Sequence, residues 1–337
     1  MSIPFDADVL ALQKRINASG YLDANGKPLV EDGKPGPKTR VAIAWWSARS
    51  AVFEEAPCRV PPFTAWCNRT GVLAPHRLID DLRGLVDEVS LCVNAIPDHN
   101  GGGLLASVAR ISAAMEQWSS EGFGVVPMLQ TVRLSNSLQQ QTYRSIISIA
   151  RERGTDLELD TESSIVPWTS SDYSVLLAML EVERGRGWAG RVRVNDYAAI
   201  QPKTEKLIAM LLQHGFDVVA TPQAYSVDRI SYSDDPAMVA PGGVHWPGVT
   251  QAFAAREWAP VWTASVERFM GLASYKQGWR RADQRSMTTE EAIRLAVKGA
   301  IAAGAKRIQW WEAGTLSAPG PARNTIEALV EARKVGL

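Results

Sequence analysis

From about residue 75 onward, short stretches rich in β-branched and apolar residues alternate with amphipathic helical stretches. Strands are predicted at 88–96, 125–134, 156–163, 191–200, 217–225, 248–253, 269–276 and 307–312. The clearest helical stretches lie between them, at 104–119, 139–153, 173–184, 204–214 and 289–303. Strands that alternate with helices over roughly 260 residues predict a (β/α)8 TIM-like barrel. A doubly wound parallel sheet is the alternative fold.

The predicted strand at 156–163 carries three carboxylates on one face. Glu158, Asp160 and Glu162 alternate with apolar or neutral residues, and side chains two apart on a strand share a face. Such a cluster is costly to bury, but it can provide an acid with a raised pKa beside an ionised partner. Glycosidic bond cleavage requires such a pair. We therefore expect Glu162 to be the general acid and Asp160 its partner. Glu158 lies deeper and is expected to give hydrogen-bond support, or to pair with Arg193 on the next strand.

Polar residues also fall at the ends of other predicted strands, where barrel enzymes place their active sites. The residues that we assign to substrate binding, besides Glu158, are Asn94, Gln130, Asp196, Gln223, Tyr225 and Tyr275. For Asn94 and Gln130, capping or a supporting hydrogen bond explains the residue equally well, and each tyrosine also fits a packing role.

The last predicted strand ends in Trp310, Trp311 and Glu312. Aromatic rings stack on the apolar faces of sugars, so one of the two tryptophans is expected to floor a sugar subsite while its neighbour faces the outer core. Trp310 is assigned to the subsite, and Glu312 is a further candidate catalytic carboxylate.

The first 55 residues read as a separate unit, in which a helix, a polar loop and a second helix from Thr39 precede a Pro-containing linker. Its ordered motif comprises Val9, Leu12, Gln13, Ile16, Asn17, Gly20, Tyr21, Asp32, Gly33, Gly36, Pro37, Thr39 and Ala42. This motif resembles the small three-helix peptidoglycan-binding domain of bacterial and phage cell-wall enzymes, with an insertion at residues 24–29. The resemblance implies binding of bacterial peptidoglycan through a domain that includes Gln13, Asn17, Tyr21, Asp32, Gly36 and Thr39. The predicted division is a binding domain at 1–55, a linker at 56–74 and a catalytic barrel at 75–337.

The Asp160-x-Glu162 pair resembles the motif of two barrel families that cut N-acetylated sugar polymers, the family-25 lysozymes and the family-18 chitinases. The chitinase motif is Asp-x-Asp-x-Glu, and Glu158 replaces its first Asp here. Both families carry the motif on the fourth barrel strand, whereas the predicted strands place it on the third. Together with the N-terminal motif, the chain resembles a modular phage endolysin, which implies a muramidase that hydrolyses peptidoglycan glycan strands. A lytic transglycosylase, a glucosaminidase, an amidase or peptidase, and a non-catalytic wall-binding phage protein remain open.

Composition and missing motifs disfavour several other classes of function. Lys and Arg total 36, as do Asp and Glu, so the charge balance gives no reason to expect nucleic-acid binding. The four histidines are isolated and no G-x-G-x-x-G follows the first predicted strand, so no metal and no cofactor are expected. Free thiols are the default for Cys58, Cys67 and Cys92, and a Cys58–Cys67 bridge is open.

The N-terminal sequence lacks a secretory signal pattern, and no apolar run reaches transmembrane length. The chain is therefore expected to be made in the host cytoplasm and to act on the cell wall after release, as a monomer without a membrane segment.

Overall fold

The computed structural model describes residues 7–18, 27–34, 38–39, 42, 60–94, 104, 106–131, 133–135, 137–161, 168–198, 200–224, 249–274 and 288–334. Within these residues, eight parallel strands close into a barrel in which each strand pairs with its sequence neighbours and β1 pairs with β8. The predicted barrel is therefore confirmed. The strands are β1 (Phe63–Cys67), β2 (Glu88–Cys92), β3 (Gly124–Gln130), β4 (Leu157–Asp160), β5 (Val192–Tyr197), β6 (Val218–Gln223), β7 (Val266–Ala273) and β8 (Arg307–Trp311).

Helices lie between most of the strands and follow the last one. They are α1 (Ala7–Ala18), α2 (Arg69–Leu73), α3 (His76–Leu82), α4 (Val108–Ser120), α5 (Ser137–Arg153), α6 (Ser170–Gly185), α7 (Pro202–Gln213), α8 (Val249–Trp258), α9 (Thr289–Ala302), α10 (Ala313–Ser317) and α11 (Pro321–Lys334). Two of them, α6 and α9, begin with a capping box, at Thr169 with Asp172 and at Thr288 with Glu291. Such caps satisfy backbone N–H groups at the first turn and define where the helix begins.

Two strand predictions are wrong, and together they explain the numbering of the carboxylate strand. Residues 63–67, which their Pro-rich flank assigns to the linker, form β1. Every residue of β1 is buried, so it lacks the alternation that marks a half-buried strand. Residues 249–253, predicted as part of a strand, belong to helix α8. The carboxylate strand is consequently β4, the fourth strand of the barrel.

The interior of the barrel is unusually polar. The side chains that point into the barrel form layers of four, and each layer takes its members from alternate strands. From one strand to the next, a layer moves by one residue relative to the paired register. From the N-terminal to the C-terminal end, the layers are Glu88, Asp156, Val219 and Arg307; Thr64, Val126, Arg193 and Phe269; Ser90, Glu158, Thr221 and Gln309; Trp66, Met128, Asn195 and Gly271; then Cys92, Asp160, Gln223 and Trp311. Barrel interiors are ordinarily filled by branched apolar side chains. Polar layers near the C-terminal opening, where barrel enzymes place their active sites, therefore point to function at that end.

An ionic cluster closes the N-terminal end of the interior. The buried Arg193 donates from both terminal nitrogens to Glu88, at 2.5 and 2.9 Å, and from Nε to Asp156 at 2.8 Å. Burial alone would raise the pKa of both carboxyls. Arg193, together with Arg307 beside Glu88 and Arg191 beside Asp156, outweighs burial and holds both pKa values below their usual range. The cluster is therefore ionised and mutually compensated at neutral pH.

The N-terminal motif is partly described. Gln13 and Asn17 lie one turn apart on α1, and Gln13 is fully buried. Gln13 donates to Asp32 at 2.9 Å and to Thr39 at 3.0 Å, while Asn17 exchanges two hydrogen bonds of 2.8 Å with the Leu29 backbone. These motif residues thus hold the segment together. Tyr21 and Gly36 lie outside the described residues, and the three-helix arrangement stays a prediction.

Candidate active site

Asp160 ends β4 at the C-terminal opening of the barrel. It is 6% exposed and shares its layer with Cys92, Gln223 and Trp311. Gln223 Nε2 donates to Asp160 Oδ1 at 3.4 Å, so two residues predicted for the site meet across the interior. Burial raises the pKa of the Cys92 thiol to about 12, and the nearby Asp160 carboxylate adds to the effect. The Cys92 thiol is therefore protonated at neutral pH and lines the site as an uncharged side chain rather than acting as a nucleophile.

Glu158 lies two layers below Asp160 and is fully buried. Its Oε1 accepts from Trp66 Nε1 at 2.7 Å and from Asn195 Nδ2 at 2.6 Å, and its Oε2 accepts from Ser90 Oγ and from Gln309 Nε2 at 3.2 Å. The alternative partner, Arg193, hydrogen-bonds to Glu88 and Asp156 instead. Burial raises the pKa of Glu158, against the influence of Arg193 and the side-chain donors. Glu158 thus organises strands β1, β2, β5 and β8 beneath the opening.

We expect Glu158→Leu to lower the free energy of unfolding by about 3–5 kcal/mol, because the buried Trp66 and Asn195 N–H groups lose their acceptor. Glu158→Gln should cost about 1–2 kcal/mol, since its amide oxygen still accepts from them. Its amide nitrogen can donate to Ser90 or to Gln309 Oε1, which has no partner among the described residues. Urea unfolding of both variants measures the difference, and equal losses would contradict this role of Glu158.

The register of β8 places Trp311, rather than Trp310, at the opening. Trp311 is partly exposed and lies edge-to-face with Trp66, with ring centroids 5.7 Å apart. Trp310 is fully buried on the outer side of the barrel and packs edge-to-face on Phe63 at 5.5 Å. The assignment of Trp310 to a sugar subsite is therefore corrected: it is an outer-core residue. Glu312 follows Trp311, is partly exposed, and accepts from Asn68 Nδ2 at 2.5 Å.

Two residues assigned to substrate binding make contacts within the protein instead. The Asn94 amide donates to the Gln130 carbonyl at 3.0 Å and accepts from its N–H at 2.8 Å, so it extends the β2–β3 pairing beyond the strands. Asp196 is fully buried on the outer side of β5 and accepts from the N–H groups of Tyr197 and Gln201. Gln130 itself is partly exposed and faces the opening, next to Asp160 in the register.

Three other assigned residues, Glu162, Tyr225 and Tyr275, lie outside the described residues. The structure also adds residues that the sequence pattern does not reveal. No sequence pattern assigns Trp66 and Asn68 to the site, because the segment that forms β1 is predicted to be part of the linker. Lys203, near the beginning of α7, is half-buried and electrostatically coupled to Asp196 and Asp160; burial lowers its pKa against these two carboxylates.

Within the described part of the chain, no group of three or more His, Cys, Asp or Glu side chains could hold a metal ion. Cys67 and Cys92 are buried free thiols, so the open Cys58–Cys67 bridge is not formed. No described helix is both long and apolar enough to cross a membrane. A cavity of about 710 Å³ lies between α5 and α6, and one of about 590 Å³ lies at the N-terminal ends of β5 and β7, both away from the opening.

Comparisons with known proteins extend to the fold alone. No protein-family model matches this chain, and no curated protein matches it. A solved glycoside hydrolase family 5 enzyme from Prevotella bryantii is 11% identical, with 82% of this chain and 97% of that chain covered and a TM-score of 0.49. A mutant of that enzyme in complex with a xyloglucan tetradecasaccharide is 12% identical, with 85% of this chain and 98% of that chain covered and a TM-score of 0.49. A 2,3-dimethylmalate lyase is 14% identical, with 87% of this chain and 86% of that chain covered and a TM-score of 0.41. Similarity at this level assigns no activity to the present chain.

Proposed function

We propose that this chain is a glycoside hydrolase that cleaves the glycan strands of bacterial peptidoglycan as a muramidase. The observation that carries the proposal is the layer at the C-terminal opening, where Asp160 faces an amide, Gln223, and an indole, Trp311. A carboxylate, a hydrogen-bonding amide and an aromatic surface are groups that hold a sugar ring, and cleavage requires a second carboxyl group beside them.

The proposed chemistry divides the carboxylates by position. Glu162 follows Asp160 by two residues and protonates the leaving oxygen, while Asp160 stabilises the positive charge that develops at the anomeric carbon or orients an N-acetyl group. Glu312, directly after β8, is the further carboxylate at the opening and is available to polarise a water molecule or a sugar hydroxyl. Glu158 contributes indirectly, since it fixes Trp66, against which Trp311 rests.

The choice of polymer depends on the N-terminal motif. Its resemblance to peptidoglycan-binding domains supports a wall-attached enzyme, and attachment to an insoluble polymer raises the effective substrate concentration at the barrel. Action on the cell wall as a monomer, after release from the host cytoplasm, is part of the same proposal.

Product chemistry tests the function directly. Purified peptidoglycan incubated with the protein should release new reducing sugar ends and no new free amines. Mass spectrometry of the fragments should show reducing muramyl ends; anhydro-muramyl ends would identify a lytic transglycosylase, and reducing glucosamine ends a glucosaminidase. New amines without reducing ends would replace the proposal with an amidase or peptidase. Binding to walls without any product would make the chain a wall-binding protein.

The two neighbouring tryptophans of β8 give a matched pair of variants. Trp311→Ala should lower kcat/KM on soluble glycan fragments by about three- to tenfold, because a stacking surface worth up to about 1.5 kcal/mol is lost. Trp310→Phe should leave kcat/KM within about twofold of wild type and affect only thermal stability, since Trp310 packs in the outer core. The reverse pattern would show that the opening is not the sugar site.

A further inference from the structure

Asp196 binds the beginning of α7 to the end of β5. Its Oδ1 accepts from the Tyr197 N–H at 2.8 Å, its Oδ2 accepts from the Gln201 N–H at 3.3 Å, and Oδ2 also contacts Thr204 Oγ1 at 2.5 Å. The side chain is fully buried between strand and helix, so it cannot reach a substrate in the barrel opening.

A chain of hydroxyl groups leads from Asp196 to the end of β4. Thr204 Oγ1 lies 2.9 Å from Thr161 Oγ1, and Thr161 Oγ1 donates to the Asn195 carbonyl at 2.7 Å. The Thr161 N–H donates to the same carbonyl at 2.9 Å. Thr161 lies between Asp160 and Glu162 in the sequence. These hydrogen bonds therefore hold the backbone that carries the proposed catalytic pair.

Counting the hydroxyl hydrogens shows that this series of hydrogen bonds is complete only when Asp196 is protonated. It contains three oxygen–oxygen contacts, Asp196 to Thr204, Thr204 to Thr161, and Thr161 to the Asn195 carbonyl. Each threonine hydroxyl supplies one hydrogen and a carbonyl supplies none. An ionised Asp196 therefore leaves two hydrogens for three contacts, whereas a protonated Asp196 supplies the third.

We propose that Asp196 is a proton-dependent positioning residue whose protonated carboxyl completes a hydrogen-bond chain through Thr204 and Thr161 and fixes the end of β4. In this state Asp196 donates to Thr204, Thr204 donates to Thr161, and Thr161 donates to the Asn195 carbonyl. The effect on catalysis rests on the proposed function; the bonding scheme does not.

The environment of Asp196 supports protonation in mildly acidic solution. Burial raises its pKa to about 6, against the hydrogen bonds from Thr204 and Tyr197 and the charge of Lys203. The titratable groups that interact with it are Lys203 on α7 and Tyr173 on α6. Because the folded-state pKa lies above the ordinary value of 3.8, the stabilisation is complete below about pH 3.8 and is lost as the pH rises through about 6.

The variant Asp196→Asn tests the scheme, since its amide N–H₂ donates to Thr204 at every pH while its oxygen accepts from the Tyr197 N–H. Two pKa units correspond to about 100-fold, so the folding equilibrium constant of wild type relative to Asp196→Asn should fall by up to about 100-fold between pH 4 and pH 7. Urea unfolding at each pH measures this ratio, in which groups common to both proteins cancel. A ratio that does not change with pH would overturn the proposal.

A second measurement needs no variant. The ¹³C resonance of the Asp196 carboxyl in wild type should titrate with a midpoint near pH 6, and a midpoint at or below about pH 4 would overturn the scheme even if Asp196→Asn fails to fold. In the activity assay, the ratio of the wild-type kcat to the kcat of Asp196→Asn should fall as the pH rises through 6 while KM stays constant, because any loss of the proton of the general acid is common to both proteins and cancels in the ratio. If wild type itself cleaves no glycan, the proposed function fails, and the stability and resonance measurements still decide the role of Asp196.

Discussion

Replacing Glu162 by Gln is expected to lower the rate of glycan cleavage by about a hundred- to ten-thousandfold, the contribution of a positioned general acid. The amide keeps the size of the carboxyl group but has no proton to give to the leaving oxygen. Binding to purified cell walls should be unchanged, because the variant leaves the N-terminal motif intact. The release of reducing ends measures the first effect, and co-sedimentation with walls measures the second.

A matched control for this variant is Glu327→Gln on helix α11. Glu327 is 48% exposed and pairs with Arg323 one turn away, so its loss should affect neither rate nor binding. Near-full activity of Glu162→Gln would show that the acid lies elsewhere at the opening, with Glu312 as the next carboxylate to replace.

A large loss of stability is also expected for Arg193→Met. The substitution removes the guanidinium that Glu88 and Asp156 share at the closed end of the barrel. Asp156 keeps its pair with Arg191 at 2.8 Å, and Glu88 keeps Arg307 at 3.7 Å. We therefore expect a loss of about 3 kcal/mol, the lower end of the cost of breaking a buried ion pair. Arg294→Met on α9 is the control. Its pair with Glu290 is solvent-exposed, so the loss should stay below about 0.5 kcal/mol.

The loss in Arg193→Met should also depend on pH. In wild type, the pKa values of Glu88 and Asp156 are held below their usual range, so their contribution is present above the usual carboxyl pKa and disappears as the pH falls through the lowered values. Without Arg193, both carboxyls take up protons more easily. Urea unfolding at pH 7 and pH 4 should therefore show a larger difference between wild type and Arg193→Met at pH 7. A difference that does not change with pH would mean that packing, rather than charge, is lost.

Local patterns were sufficient to predict the barrel and the position of its carboxylates along the chain. The alternation of strand-like and helix-like stretches identifies the architecture, and the two-residue period of Glu158 and Asp160 correctly indicates that both face the interior. The same patterns failed at β1, because a strand buried on both faces has no alternation, and at residues 249–253, because a short apolar run is compatible with helix or strand.

The roles of individual side chains required contacts between distant strands. The donors to Glu158 lie 37 to 151 residues away along the chain, on four other strands. Whether Trp310 or Trp311 faces the opening depends on the register of β8 against β1 and β7. Asp196 and Asn195 differ by a single position in β5, yet one contacts α7 and the other contacts Glu158.

The sequence by itself thus determined the repeating unit, the strand that carries the carboxylates and the residue types at its end, because secondary structure and side-chain alternation depend on neighbours in the chain. Only the tertiary structure decided which of Trp310 and Trp311 faces the opening, which side chains share a layer, and which partners the buried carboxylates Glu158 and Asp196 have. Those properties follow from closing eight strands in one register, and that closure depends on pairings between residues far apart in sequence.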